Sequence, residues 1–361
     1  MIRVALLPGD GIGTEVIAAA CNVLDAAAAQ FGFSWQGEHF DLGAERYLRT
    51  GDTLPDADFR RLRDDHSRIL LGAFGDPRVP SNVQAKDILL GLRQRLDLYV
   101  NLRPVRLLDP RLCPLRGSPS IDMVVVRENT ESVYVGIGGS LRPDTADEVA
   151  QSVMIATRLA CDRLLRHAFE LARRRRGVLT LCDKANAIPE AHGLWRKSLA
   201  AIRNEYPDVQ ARTLYADVAA MRMVTHPHEF DVIVGDNLIG DILSDLAAAL
   251  VGGLGLAPSA SLHPGRHALY EPVHGSAPDI AGKGIANPMA AILSAAMLLN
   301  DEGSAATQQA AAAIERAVED AVRAGATTSD LGGSLGTADV TARICAALTA
   351  APATPWVPAH A

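Results

Sequence analysis

The feature that most constrains this chain is a recurring unit. A short apolar, β-branched run ends in a glycine or polar turn and gives way to a helical stretch. The unit occurs at 2–7, 68–74, 121–127, 177–182 and 231–234. Further strands are expected at 32–40, 100–105 and 210–214. Helices are expected at 14–30, 87–99, 147–173, 193–205, 289–299 and 305–324, with a charged helix end at 60–68. Strands that alternate with helices in this way specify an α/β fold with a largely parallel sheet. The first turn, Pro8-Gly9-Asp10-Gly11-Ile12-Gly13-Thr14, spaces its glycines G-x-G-x-G rather than G-x-G-x-x-G. No acid ends a second strand at the distance a dinucleotide fingerprint needs, so this is not a standard Rossmann fold.

At 361 residues the chain suffices for one large or two ordinary domains, and 48% apolar residues allow a sizeable core. A net charge of −7 gives no basic field, so no nucleic-acid partner is expected. No apolar run reaches membrane-span length, and the start lacks the order of a signal peptide. The five cysteines are scattered and form no CxxC pair, which fits reduced thiols in the cytoplasm.

The chemistry-bearing residues gather at strand ends. Asp241 and Asp245 stand four apart in the apolar run after Gly235-Asp236-Asn237, on one face if that run is helical. Two close carboxylates either face water or hold a cation between them, for which oxygen ligands suit Mg²⁺ or Mn²⁺. Arg93 and Arg103 flank one strand entry and Arg127 closes another, where open α/β sheets bind ligands. Lys184 lies in the turn Asp183-Lys184-Ala185-Asn186, a candidate proton carrier. Asp217 opens a helix with Met221, Met223 and Val224 on its inner side. The run Arg173 to Arg176 reads as a solvated helix terminus, and Arg95 and Arg106 as surface residues. Residues 132–146 read as a protruding arm, 247–256 as a close-packing apolar stretch, 269–287 as a long functional loop, and 349 onward as a frayed tail.

These motifs together resemble the β-decarboxylating dehydrogenases, which act on isopropylmalate, isocitrate, homoisocitrate and tartrate or D-malate. The resemblance runs from Pro8-Gly9-Asp10-Gly11 to Asp330-Leu331-Gly332-Gly333 through Leu102-Arg103-Pro104, Arg127-Glu128-Asn129-Thr130-Glu131, Lys184-Ala185-Asn186, Gly240-Asp241-Ile242-Leu243-Ser244-Asp245 and His274-Gly275-Ser276-Ala277-Pro278-Asp279-Ile280. It implies a two-domain fold with a mixed, largely parallel sheet: a large cofactor domain from 1–98 and 251–361, and a small domain at 99–250. It implies a homodimer with shared active sites, clasped by the arm. Arg93, Arg103 and Arg127 match substrate-carboxylate arginines. Asp241 and Asp245 match metal ligands of one subunit, Asp217 that of the other. Lys184, also from the other subunit, matches the base, and Tyr134 matches the acid that protonates the enol. The loop of His274, Gly275, Ser276, Ala277, Pro278, Asp279, Ile280 and Asn287 matches the cofactor loop. Asp279 in the selector position favours NAD over NADP.

Substrate choice in the resembled family is set on the helix before Arg93. Isocitrate enzymes carry Ser and Asn six and four residues before it, where this chain has Asp87 and Leu89. Homoisocitrate enzymes place an arginine three before it, where this chain has Leu90. Leu89 and Leu90 match the apolar pair of isopropylmalate enzymes, which the tartrate/D-malate enzymes share. Lys86 replaces their usual Glu; it either faces solvent or meets an anionic arm, such as that of homoisocitrate or 3-phosphonomethylmalate. The expected reaction is oxidative decarboxylation of a 3-substituted (R)-malate, with 3-isopropylmalate the first candidate. A non-catalytic regulatory subunit is the alternative from another class, but such subunits are expected to lose these side chains.

Overall fold

A computed structural model describes residues 1–117 and 119–350. The chain begins β1 (Ile2–Gly9), α1 (Gly13–Phe31), β2 (Trp35–His39), α2 (Ala44–Thr50), α3 (Asp56–Asp65), β3 (Arg68–Ala73), α4 (Val83–Arg95), β4 (Val100–Arg106) and β5 (Asp122–Glu128). A hairpin of β6 (Gly138–Leu141) and β7 (Val149–Ser152) precedes α5 (Arg158–Arg174), β8 (Val178–Asp183), α6 (Pro189–Ile202), β9 (Gln210–Tyr215), α7 (Ala216–Thr225), β10 (Val232–Gly235) and α8 (Asn237–Ala249). The chain closes with β11 (Pro258–His263), β12 (His267–Pro272), α9 (Met289–Glu302), α10 (Ala305–Arg323) and α11 (Thr337–Ala350).

One 10-stranded sheet runs through the molecule in the order β2-β1-β3-β12-β11-β4-β5-β10-β8-β9. Its two wings are parallel, and the pairings β12–β11, β11–β4 and β4–β5 in the middle are antiparallel. The mixed, largely parallel and non-Rossmann α/β architecture expected from the sequence is the one found. Both faces of the inner wing strands β1, β3, β5, β8 and β10 are covered, so these read as apolar runs, whereas the edge strands β2 and β9 are partly exposed. On the first wing, Val4 and Leu6 face α1, α9, α10 and α11, while Ala5 and Leu7 face Phe59, Leu62, Ile88 and Leu92. On the second, Val124 and Val126 face α5 and α6, while Met123 and Val125 face α7 and α8.

Several local expectations are corrected. The helix expected over 147–173 begins only at Arg158, because 149–152 pair with 138–141 and Thr157 caps the helix through Ala160 N–H. Both hairpin strands are exposed, as a protruding arm requires. The helix expected at 87–99 runs from Val83 to Arg95. Asp97 turns left-handed at φ 50° and takes both ends of the Arg163 guanidinium at 2.7 and 2.8 Å. Pro189 sets the start of α6 four residues before the expected 193, in the first-turn position that proline favours. Of Met221, Met223 and Val224 on α7, only Met223 faces the core; the other two are exposed. Arg175 is buried against Asp231 and Asp122 rather than solvated. The stretch 269–287 opens with buried β12, which pairs with β3. Thr349 and Ala350 still belong to α11; the rest of the expected tail, 351–361, lies outside the described residues. Among the described residues no helix is long and apolar enough to cross a membrane.

Candidate active site

Side chains alternate along β4 and β5, so Arg103 and Arg127 leave the sheet on the face covered by α8. The α8 helix comes close because Gly240 has no side chain: a Cβ there would stand 2.8 Å from Arg127 Cβ and Cγ. Asp236 caps α8 by accepting Ile239 N–H at 2.9 Å, and Asp241 and Asp245 follow one turn apart.

Arg127 is 2% exposed. Its Nε donates to Asn237 Oδ1 at 2.8 Å, and Nη1 pairs with Asp241. Arg103 Nε donates to Asn101 Oδ1 at 2.9 Å. Its Nη1 reaches Ser244 Oγ at 2.7 Å and Asp245 Oδ1 at 3.0 Å, and Nη2 lies 3.2 Å from Asp241 Oδ1. Arg93, near the end of α4, donates to Glu271 Oε1 at 2.8 Å while its buried Nε has no partner. The three guanidiniums feel one another. Burial first, then Arg103 and Arg93, lower the Arg127 pKa to about 10. Clustered cations of this kind suit a polyanionic ligand.

Tyr134 donates its hydroxyl to Asp241 Oδ2 at 2.8 Å, with the Arg127 guanidinium 5.1 Å from its ring centre. Burial and then Asp241 raise the phenol pKa, so the oxygen keeps its proton at neutral pH. Asp241 thus sits among Arg103, Arg127 and Tyr134. Burial raises the carboxyl pKa of Asp245 despite Arg103 beside it.

Lys184 and Asp217 form a separate cluster. Lys184 Nζ donates to Asp217 Oδ1 at 2.6 Å, and Asp217 is largely exposed. No hydrogen bond or ion pair among the described residues joins either to Asp241 or Asp245. Among those residues no group of three or more His, Cys, Asp or Glu stands ready for a metal. The two α8 carboxylates are hard oxygen donors that fit Mg²⁺ or Mn²⁺, but they are an incomplete set.

The expected cofactor loop packs on the first glycine turn. Ile12 N–H donates to Ser276 O at 2.8 Å, and a Cβ on Gly11 would stand 2.1 Å from that oxygen. Gly275, Pro278 and Asp279 are exposed, and Ile280 rests on the large core. Ala277 holds the left-handed φ of 38°. His274 Nδ1 meets Gly275 O at 3.0 Å; burial lowers its pKa, and its buried Nε2 has no partner. Asn287 is engaged internally: Oδ1 accepts Met289 N–H and Nδ2 donates to Asp330. On α4, Leu89 and Leu90 are half-buried, whereas Lys86 is exposed and pairs with no described residue.

Sequence reasoning missed Glu271, Asn101, Asn237 and Ser244. The period-two spacing of Asn101 and Arg103 was a usable signal for one of them; Glu271 was hidden in a strand read as loop. Asp10 was also missed. It accepts Ala44 N–H at 2.6 Å and Gly75 N–H at 2.9 Å, tying three strand-end loops together.

Comparison with known proteins bears on this constellation. The profile described as "Isocitrate/isopropylmalate dehydrogenase" matches residues 3–344. A 3-isopropylmalate dehydrogenase of Mycobacterium tuberculosis is 48% identical over 350 residues, covering 96% of this chain and 100% of its own. One from Streptomyces griseus is 49% identical over 320 residues, covering 88% and 91%. An isocitrate dehydrogenase structure from Methylococcus capsulatus superposes with a TM-score of 0.88 at 38% identity, covering 97% and 100%. A β-decarboxylating dehydrogenase from Thermococcus kodakarensis gives 0.78 at 36%, covering 96% of each chain. Matched over nearly its whole length, the chain belongs to the isocitrate/isopropylmalate dehydrogenase family and is a β-decarboxylating dehydrogenase.

Proposed function

We propose that the chain catalyses NAD-dependent, divalent-metal-dependent oxidative decarboxylation of a 3-substituted (R)-malate of the 3-isopropylmalate type. The observation that carries this reading is the convergence of Arg93, Arg103 and Arg127 beside two carboxylates one turn apart on α8. The arginines hold the carboxylates of the malate. Asp241 and Asp245, with Asp217 of a second copy, hold Mg²⁺ or Mn²⁺. When bound, NAD⁺ supplies the hydride acceptor and the divalent cation the Lewis acid. Lys184 Nζ, from that second copy, takes the hydroxyl proton. The Tyr134 hydroxyl gives a proton to the carbon that CO₂ leaves. The loop from His274 to Ile280 with Asn287 receives the adenosine, and exposed Asp279 accepts from the ribose hydroxyls and repels a 2′-phosphate.

This reading needs a homodimer with shared sites. It is supported by the lack, among the described residues, of any hydrogen bond or ion pair that joins Lys184 or Asp217 to Asp241 or Asp245, by the exposed arm, and by exposed Met221, Val224 and Ile242 on α7 and α8. The two wings of the sheet support a large domain of 1–98 and 251–361 and a small domain of 99–250. A cytoplasmic location fits the free cysteines. Retention of every charged side chain in the cluster speaks against a regulatory subunit.

Half-buried Leu89 and Leu90 favour an apolar arm on the substrate. The unpaired Lys86 ammonium one turn away favours the second reading, an anionic arm such as homoisocitrate or 3-phosphonomethylmalate. The test is NADH formation with Mn²⁺ and NAD⁺ across isopropylmalate, D-malate, tartrate, isocitrate, homoisocitrate and 3-phosphonomethylmalate. Highest kcat/KM on isopropylmalate supports the apolar arm and leaves Lys86 in solvent. Highest kcat/KM on an anionic arm, lost in Lys86→Ala, replaces it.

A further inference from the structure

α6 carries His192 and Arg196 four residues apart on one face. Both grip the turn after β8. Arg196 donates from Nε and Nη2 to the Asp183 carboxylate at 2.7 and 2.9 Å. The backbone N–H of Lys184 donates to His192 Nδ1 at 2.7 Å. Lys184 O in turn accepts from the N–H groups of Ala187 and Ile188 at 2.9 and 2.8 Å. Lys184 is therefore fixed at its own N–H and its own carbonyl.

Because Nδ1 accepts, the imidazole proton of neutral His192 is on Nε2. That nitrogen stands 3.5 Å from Asp236 Oδ2, too long for a strong hydrogen bond. The short contact of the ring is the one to Lys184. Ser132 Oγ donates to the same Asp236 oxygen at 2.6 Å, and the other oxygen caps α8. His192, Asp236 and Ser132 are all buried. The ring thus stands between the Lys184 turn, the helix that carries Asp241 and Asp245, and the base of the arm that carries Tyr134.

We propose that His192 is a positioning residue for Lys184. This rests on the reading of Lys184 as the base. A lysine ammonium rides on a flexible four-carbon stem, so its aim depends on how firmly its backbone is held. A misplacement of about 1 Å can cost on the order of a hundredfold in rate. His192 touches no reacting atom; it sets the direction in which the Lys184 side chain leaves the turn.

The test uses full-length His192→Phe, His192→Gln, His192→Asn and Lys184→Met, with steady-state kinetics on 3-isopropylmalate and amide hydrogen exchange of the peptide containing Lys184. Phe keeps the ring and loses the acceptor, Gln moves its polar group past the Nδ1 position, and Asn keeps an acceptor near Nδ1. The expected result for Phe and Gln is a kcat lower by about tenfold or more, with KM for the malate changed by less than about twofold and faster exchange at the Lys184 amide. Asn restores most of kcat and the protection. A role confined to packing moves the melting temperature without this kcat-against-KM split or the Asn rescue. Wild-type kcat in Phe and Gln, or equal loss in Asn and Phe, overturns the proposal. If Lys184→Met keeps its turnover, the base reading falls. If it is inactive while His192→Phe is fully active, only the positioning role falls.

Discussion

Asp241 accepts the Tyr134 hydroxyl and faces two guanidiniums, so the acid candidate and the arginine cluster are held as one unit. Tyr134→Phe removes the proposed proton donor and leaves the arginines in place. We expect kcat to fall by about 10² to 10⁴ with a smaller change in KM, read by initial-rate kinetics. Arg103→Met removes a buried cation and strands Asn101 Oδ1 and Asp245. The malate KM should rise by about 10² or more, as befits a lost charge-assisted pair of hydrogen bonds. Apart from Glu271, the charged members of this site were legible in the sequence, because arginines at strand ends and acids at helical spacing point to ligands there. Asn101, Asn237 and Ser244 were not, because a buried amide or hydroxyl gains its role only from what the fold brings beside it.

Two close approaches between elements carry the site. Gly240→Ala forces α8 off Arg127, which should destabilise the protein by about 1–3 kcal/mol and weaken malate binding. Gly11 has φ 55°, and a Cβ there would strike Ser276 O. Gly11→Ala should therefore displace the proposed cofactor loop and raise the KM for NAD⁺ more than that for the malate. Equal shifts in both would show that the loop does not hold the dinucleotide. Strand–turn–helix units were legible wherever both faces of a strand are buried, because such strands read as continuous apolar runs. The β7 strand was not. Its sequence is that of a helix N-terminus, and only pairing with β6 makes it a strand. β11 escaped for the opposite reason: Pro258, Ser259 and Ser261 carry little strand character, and burial in the centre of the sheet overrides it.

At the scale of the whole molecule, the sheet has a cavity on the face opposite the arginines. Leu102, Pro104 and Val124 line it from strands whose Arg103 and Arg127 point the other way, and His167 and Glu315 face it from α5 and α10. Burial pushes the Glu315 pKa up to about 7 from 4.5 and the His167 pKa down to about 4 from 6.5. Glu315 contributes its full stability below about pH 4.5 and loses it as pH rises to about 7. His167 contributes fully above about pH 6.5 and loses it as pH falls to about 4. The two slopes oppose each other between about pH 4.5 and 6.5. Glu315→Gln should therefore be more stable than the parent at pH 8, by up to about 3 kcal/mol, and should lose stability more steeply on acidification. Denaturant melts at pH 4.5, 6 and 8 read this directly. The parallel wings were legible from strand spacing, but their joining through an antiparallel centre was not, because the sequence does not say which wing strands meet.

On this reading the arginine and aspartate cluster serves oxidation coupled to loss of CO₂. The direct measurement is product stoichiometry with 3-isopropylmalate, NAD⁺ and Mn²⁺, following NADH, CO₂ and the 2-oxo acid in one reaction, with a chelator control. Equimolar formation of all three is expected, with none of them in the chelator control. NADH without CO₂, or turnover unaffected by the chelator, would contradict it.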